Sequence, residues 1–229
     1  MQENSVKKAP IKAVLFDAYG TLLDVYSVAD LAETLFPTHG IAIAQLLREK
    51  QIDYSRLRSM AGQYKPFWDI TRDALRFACT AKGLHLGVEQ EQRLMNQYAR
   101  LTAFPENLQV LQALKERGVP MGVLTNGNRE MIASSLHNAA MHTYFDHVLT
   151  SETVKKFKPD PLIYELGPQA LKLPAEQILF VSSNAWDACA AQWFGYQAFW
   201  INRTGAALEV LDIEPTYRGS LLNDILQIL

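Results

Sequence analysis

Cysteine is scarce in this chain: two in 229 residues, Cys79 and Cys189, far apart in the sequence. Each falls within a helical pattern, so the pair reads as buried reduced thiols acting as small hydrophobes rather than as a disulfide. Surplus positive charge is absent too. Lys and Arg number 22 against 24 Asp and Glu, for a formal net charge of −2, and nothing basic draws the protein to nucleic acid or an anionic membrane. No apolar run approaches the roughly 20 residues a membrane-spanning helix needs. Met1–Pro10 is polar and leads straight into a strand-like segment, unlike a signal peptide. Internal repeats and low-complexity tracts are likewise missing. What remains, 48% hydrophobic and 20% charged residues, is the composition of an ordinary globular protein able to bury a full core, expected in the cytoplasm.

Five short apolar runs recur: Ile11–Phe16, Met121–Leu124, Val148–Thr150, Ile178–Ser182 and Ala198–Ile201. They do not alternate strictly with polar residues, which suits strands buried on both faces of a parallel sheet. Helical stripes separate the last four: Leu108, Leu111 and Leu114 before Gly118; Met131, Ile132, Ser135, Leu136 and Ala139; Leu162, Leu166 and Ala170; and Ala185–Phe194, ended by Gly195. Strand and helix alternating through short connections predict a doubly wound (Rossmann-like) α/β sheet.

One stretch departs from that rhythm. Between Leu23 and Pro105 the periodicity is helical: Ile43, Leu46, Leu47, Tyr54 and Leu57; then Ile70, Ala74, Phe77, Ala78 and Ala81 before Gly83; then Leu94, Tyr98 and Leu101. Roughly eighty residues are far too many for a simple crossover. The spacing predicts a helical cap subdomain, residues 23–104, inserted into an α/β core formed by 1–22 and 105–229.

In an open parallel sheet, ligands bind beyond the carboxyl ends of the strands. Each run here ends in polar residues: Asp17; Thr125 and Asn126; Ser151; Ser182, Ser183 and Asn184; Asn202 and Arg203. Singly, each has a bland explanation as a turn or helix cap. Together, with Lys158-Pro159 and Asp187 nearby in sequence, they describe a polar pocket floored by strand ends.

Phe16-Asp17-Ala18-Tyr19-Gly20-Thr21-Leu22 carries the strongest signal, and here the sequence resembles the haloacid dehalogenase superfamily, whose first motif is an Asp after an apolar strand followed by Gly-Thr. Leu124-Thr125-Asn126, Lys158-Pro159-Asp160 and Ser182-Ser183-Asn184-Ala185-Trp186-Asp187 stand where its other three motifs belong. Most of that superfamily transfers phosphoryl groups, using a second Asp two residues after the nucleophile and a further acidic motif to hold Mg²⁺. Phosphate oxygens carry charge that a cation must neutralise, and the leaving alkoxide needs a proton. In this chain those positions hold Tyr19 and Ser183, which argues against Mg²⁺ and phosphatase chemistry.

The likeness is instead to the L-2-haloacid dehalogenase branch, through Tyr19, the Ser182–Asp187 segment, Asn202-Arg203-Thr204-Gly205, and Arg48 followed by Gln51, Tyr54 and Leu57-Arg58-Ser59. That resemblance implies a cofactor-independent and metal-independent hydrolase. Asp17 would displace halide from an L-2-haloalkanoic acid, and water would then cleave the aspartyl ester to give a D-2-hydroxy acid. It implies Lys158 as the cation keeping Asp17 ionised in a dry pocket, with hydrogen bonds from Ser182 and Thr125. Arg48 would receive the halide alongside Asn126. Asp187 would activate the hydrolytic water with Asn184 and Lys158, or else orient Lys158. Thr125, Lys158 and the backbone after Tyr19 are candidate donors to the substrate carboxylate. Tyr19, Phe67 and Trp186 would wall the alkyl side, Tyr164 would support Lys158 or Asp187, and Thr21 and Tyr164 count among the substrate-contacting residues. Expected partners are the small 2-haloacid and halide, with no nucleic acid or membrane, and a second copy of the chain in a homodimer.

Departures from that branch bear on substrate size and halide preference. Thr125 adds a methyl where Ser is usual, Ala18 is small, and Glu49 would blunt the halide site if it paired with Arg48. A Mg²⁺-dependent phosphatase of the same fold and a catalytically silent binding protein are the competing readings. Loss of motif residues would favour the latter, yet Asp17, Lys158 and Asp187 are present.

Overall fold

The computed structural model describes residues 8–229. The reading of Met1–Pro10 as no signal peptide therefore falls largely on residues 1–7, which lie outside the described residues.

The first strand, β1 (Ala13–Phe16), is buried along its whole length. After it come α1 (Ala29–Leu35), α2 (Gly40–Met60), α3 (Phe67–Ala81) and α4 (Val88–Tyr98), with no further strand until β2 (Met121–Thr125), which follows α5 (Asn107–Glu116). From there strand and helix alternate: α6 (Arg129–Asn138), β3 (His147–Thr150), α7 (Ser151–Val154), α8 (Pro161–Leu171), β4 (Ile178–Ser182), α9 (Ala185–Phe194), β5 (Gln197–Ile201) and β6 (Tyr217–Gly219). The sheet runs in the order β3-β2-β1-β4-β5-β6, and every pairing is parallel. The expected doubly wound α/β fold is what the chain forms. Successive strands step away from β1 on one side through β2 and β3. They then return to its other side as β4, β5 and β6, so the switch of direction lies where β1 meets β4.

Successive side chains of β1 feed opposite faces. Val14 and Phe16 join a cluster with Val123, Val181, Phe199 and much of the helical stretch, while Leu15 joins Ile163, Tyr164, Phe180 and Tyr196 beneath α8 and α9. This double burial explains why the central runs show no alternation. The edge strand is different: the expectation that Val148–Thr150 is buried on both faces does not hold, because β3 ends the sheet and leaves Val148 37% exposed. β6, too short to carry a pattern of its own, was not foreseen, nor were α1 and α7. Gly118 has φ +69° and closes α5, as its position suggested.

Two helix faces are rotated from expectation. On α2 the buried side runs through Ile43, Ala44, Leu47, Arg48, Gln51, Ser55 and Ser59, whereas Leu57 is 57% exposed. The inward face turns polar where it passes over the strand ends. On α8 the buried residues are Ile163, Tyr164 and Gly167, not Leu162, Leu166 and Ala170. Gly167 favours this: a Cβ there would run into the Tyr196 hydroxyl and come within 2.5 Å of Leu15 Cδ1. On α3, Phe77 and Ala81 face outward. No helix among the described residues is long and apolar enough to cross a membrane.

Candidate active site

Asp17 is the first residue beyond β1, and its N–H still bonds Val181 O of the neighbouring strand at 2.9 Å. The chain then turns tightly, with the amides of Thr21, Leu22 and Leu23 all directed at Ala18 O. Gly20, at φ +93°, makes that turn beside Ser183 and Asn184. The turn brings the Thr21 hydroxyl to Asp17 Oδ2 at 2.9 Å, and Asn184 Nδ2 reaches the same oxygen at 2.9 Å. The other oxygen, Oδ1, accepts from Lys158 Nζ at 3.0 Å. The carboxylate is thus held by three donors and is only 6% exposed.

Lys158 is buried between two acids. Its Nζ donates to Asp187 Oδ2 at 2.8 Å as well as to Asp17, and lies 4.8 Å from the centre of the Phe180 ring. Burial works against its charge, but the two carboxylates outweigh burial and lift the ammonium pKa above the ordinary lysine value. Asp187 stands in the first turn of α9, fully enclosed, its Oδ1 accepting from the Tyr164 hydroxyl at 2.6 Å. Burial pushes this carboxyl up, against the pull of the Lys158 ammonium. Burial likewise raises Tyr164 well above the usual phenol range, leaving it a neutral donor.

Arg48 closes the arrangement from α2. Its guanidinium donates to Gln51 Oε1 at 2.8 Å, to Tyr19 O at 2.9 Å and to Asn184 Oδ1 at 3.1 Å. Arg48, Ile52, Phe67, Asn126, Tyr19 and Trp186 surround Asp17, Lys158 and Asn184 in a pocket whose free volume is only about 10 Å³, near that of one water position. The Asp17 carboxylate and two cations therefore line a small, partly aromatic space, with Asp187 enclosed behind Lys158. Among the described residues no three His, Cys, Asp or Glu side chains are grouped to hold a metal ion, and the ammonium of Lys158 fills the gap between the two acids.

The structure brings together Asp17, Lys158, Asp187, Arg48, Asn184, Asn126, Tyr19, Phe67 and Trp186. Other expectations need correction. Ser182 and Thr125 make no hydrogen bond to Asp17: Ser182 Oγ accepts from Asn184 N at 3.1 Å and Thr125 Oγ1 from Gly127 N at 3.1 Å, both tying down turns at strand ends. Thr21 and Asn184 hold Asp17 instead. Thr21 is enclosed between Asp17 and Ser183, and Tyr164 sits behind Asp187, so neither lines the pocket. Gly20 N–H, in the backbone after Tyr19, is taken by Leu23 O at 2.7 Å. Glu49 does not pair with Arg48; it faces solvent beside Lys50. Asn126 Oδ1 accepts from Lys158 N at 2.8 Å, fixing the lysine's backbone. Sequence reasoning missed Ile52 in the pocket wall and the support of Gln51, Thr71 and Tyr98 behind Arg48. The spacing of Gln51 and Ile52, three and four residues after Arg48, was the available signal.

The family model for haloacid dehalogenase-like hydrolases matches residues 11–195. An (S)-2-haloacid dehalogenase of Pseudomonas putida is 44% identical over 207 residues, 90% of this chain and 91% of its own length. The crystal structure of the L-2-haloacid dehalogenase RSc1362 superposes with a TM-score of 0.94 at 53% identity, covering 96% of this chain and 98% of that one. The L-2-haloacid dehalogenase of Xanthobacter autotrophicus, solved with chloropropionic acid covalently bound, gives a TM-score of 0.89 at 33% identity, over 95% of this chain and 98% of its own. With a family model spanning most of the chain and relatives of this similarity, the protein belongs to the haloacid dehalogenase-like hydrolases.

Proposed function

We propose that this chain is an L-2-haloacid dehalogenase that works without metal or cofactor, with Asp17 as its nucleophile. The observation that carries this reading is the Asp17 carboxylate, held by Lys158, Thr21 and Asn184 in a closed pocket that also contains Arg48. One Asp17 oxygen attacks the carbon bearing the halogen from the side opposite the leaving group. A carbon–oxygen bond forms, the carbon–halogen bond breaks, and halide departs with the electron pair toward Arg48 and Asn126. Water then adds to the Asp17 carbonyl carbon and returns the carboxylate. The carbon–oxygen bond made first survives, so one inversion converts an L-2-haloacid into a D-2-hydroxy acid with release of halide and a proton. Asp187 accepts the proton of that water, and through Lys158 it also keeps the ammonium aimed at Asp17.

In the same reading residues 23–104 act as a cap over the core of 1–22 and 105–229. Support comes from Arg48, Ile52 and Phe67, which reach the pocket from α2 and α3. A free volume of about 10 Å³ is too small for a haloacid, so loading one takes movement of the pocket's side chains or of the cap. A phosphatase would need a carboxylate able to protonate a leaving alkoxide where this chain has Tyr19, whose buried phenol is held neutral. Cytoplasmic residence accords with two free, buried cysteines. A homodimer accords with the exposed apolar side chains of Leu57, Met60 and Phe77 on α2 and α3.

The test is halide release from each enantiomer of 2-chloropropionate with EDTA present, followed by chiral analysis of the lactate. Chloride from the L form alone, with D-lactate as product, is expected. A chelator-sensitive phosphatase activity without any halide release would overturn the reading.

A further inference from the structure

Arg48 is a nearly buried cation whose hydrogen-bond partners among the described residues are all neutral: Gln51 Oε1, Tyr19 O and Asn184 Oδ1. The first of these is itself fixed from behind. Gln51 lies three residues further along α2, on the same face, and is fully enclosed. Its amide nitrogen donates to Thr71 Oγ1 at 2.7 Å, and the Thr71 hydroxyl donates in turn to Phe67 O at 2.8 Å. Because the hydroxyl proton is committed to that carbonyl, Thr71 presents a lone pair to Gln51. This sets which way the amide faces, and its carbonyl end points at Arg48. The Tyr98 hydroxyl donates to the same oxygen at 3.0 Å; burial raises the Tyr98 pKa, so the phenol keeps the proton it donates. A flipped amide would set its NH₂ against the guanidinium, which can only donate, and leave Thr71 facing a second acceptor. One orientation of Gln51 therefore satisfies all four groups.

We propose that Gln51 is the positioning residue for Arg48: locked by Thr71 and Tyr98, it aims the guanidinium with a neutral acceptor so that the positive charge stays available to the departing halide. A glutamate of the same shape would still accept from Arg48, with the Thr71 hydroxyl turning from Phe67 O to donate to it. The carboxylate would also pair with the guanidinium, and a cation already paired attracts a second anion less strongly. The inference rests on Arg48 receiving halide, as in the function proposed above, and the test separates the two.

Three variants, Gln51→Glu, Thr71→Val and Thr71→Ser, are compared with the parent enzyme by two readouts. Bromide binding to the resting enzyme is followed by ⁸¹Br line broadening, and single-turnover halide release is timed with L-2-chloropropionate and L-2-bromopropionate. Gln51→Glu is expected to weaken bromide binding and to slow chloride release by roughly 10- to 100-fold, the scale of losing one charge-assisted hydrogen bond to the leaving group. Bromide release should slow less, because the better leaving group needs less help. Thr71→Val should move both readouts the same way, and Thr71→Ser, which keeps the hydroxyl, should restore them. The proposal is overturned if bromide binding is unchanged in Gln51→Glu, if chloride and bromide release slow by the same factor, or if Thr71→Ser fares no better than Thr71→Val. Should the parent enzyme release halide from neither substrate, the proposed function fails, and the bromide-binding comparison decides the positioning role alone.

Discussion

Tyr164→Phe isolates one hydrogen bond in the buried charge array. The ring is packed edge-on against Phe180, at 5.9 Å and 83°, and stays in place; what goes is the hydroxyl 2.6 Å from Asp187 Oδ1. Burial already holds the Asp187 pKa above the ordinary value. A carboxyl raised in this way favours the folded chain at low pH, and its contribution is lost as pH climbs from the unfolded value, about 3.9, to the folded one. Without the phenol the ionised form loses a donor and the folded pKa rises again, widening that interval. A hydrogen bond to a charged group is worth about 1.5–3 kcal/mol. The variant should therefore lose about 1.5–3 kcal/mol of stability near neutral pH, shrinking toward zero as pH approaches about 4. The acid limb of halide release should move to higher pH with it. Denaturant midpoints across pH, alongside a pH–rate profile, read both. A stability loss that does not vary with pH, or an acid limb that stays put, would refute the reasoning.

Lys158→Met leaves two buried carboxylates without their shared cation. It should abolish halide release and destabilise the fold by about 3–5 kcal/mol in chemical denaturation. Since the folded Lys158 pKa is raised, its contribution is intact below the ordinary lysine value of about 10.4 and is lost as pH rises through the higher folded value. The parent enzyme should accordingly show an alkaline fall in stability that the variant lacks. Arg48→Lys keeps the charge but not the fork that spans Tyr19 O, Asn184 and Gln51, and should slow halide release by one to two orders of magnitude, about 1.5–3 kcal/mol. Glu49→Gln should leave the steady-state rate within about twofold, because an exposed carboxylate beside Lys50 contributes little at the pocket.

The chemistry was legible in the sequence wherever it depends on residue type and chain position. Asp17 follows an apolar run, and Lys158 and Asp187 stand at fixed places relative to later strands, so their convergence follows once the sheet is doubly wound. The doubly wound sheet itself was readable because β1, β2, β4 and β5 are buried on both faces. β3 and β6 were harder: an exposed edge and three residues carry little periodic signal. The hydrogen-bond assignments went astray for a different reason. Ser182, Thr21 and Asn184 all lie within a few residues of a strand end, and which of them reaches Asp17 is decided by the turn at Gly20 and the packing of Ser183 against it. Sequence position cannot resolve that choice. On α8, Gly167 packs against Tyr196 and Leu15, contacts between separate segments that no local stripe records. Gln51 was visible as a polar residue on the face of Arg48, but its purpose needs Thr71 and Tyr98, contributed by two other helices.

The most direct test of Asp17 as nucleophile is a single turnover with enzyme in excess over L-2-chloropropionate in ¹⁸O-water, followed by mass analysis of the peptide containing residue 17. The ester route predicts one heavy oxygen in the Asp17 carboxylate and none in the lactate of that first turnover, because water cleaves the ester at the enzyme's carbonyl carbon. Label in the lactate with an unlabelled Asp17 would mean that water attacks the substrate directly, and would contradict the account.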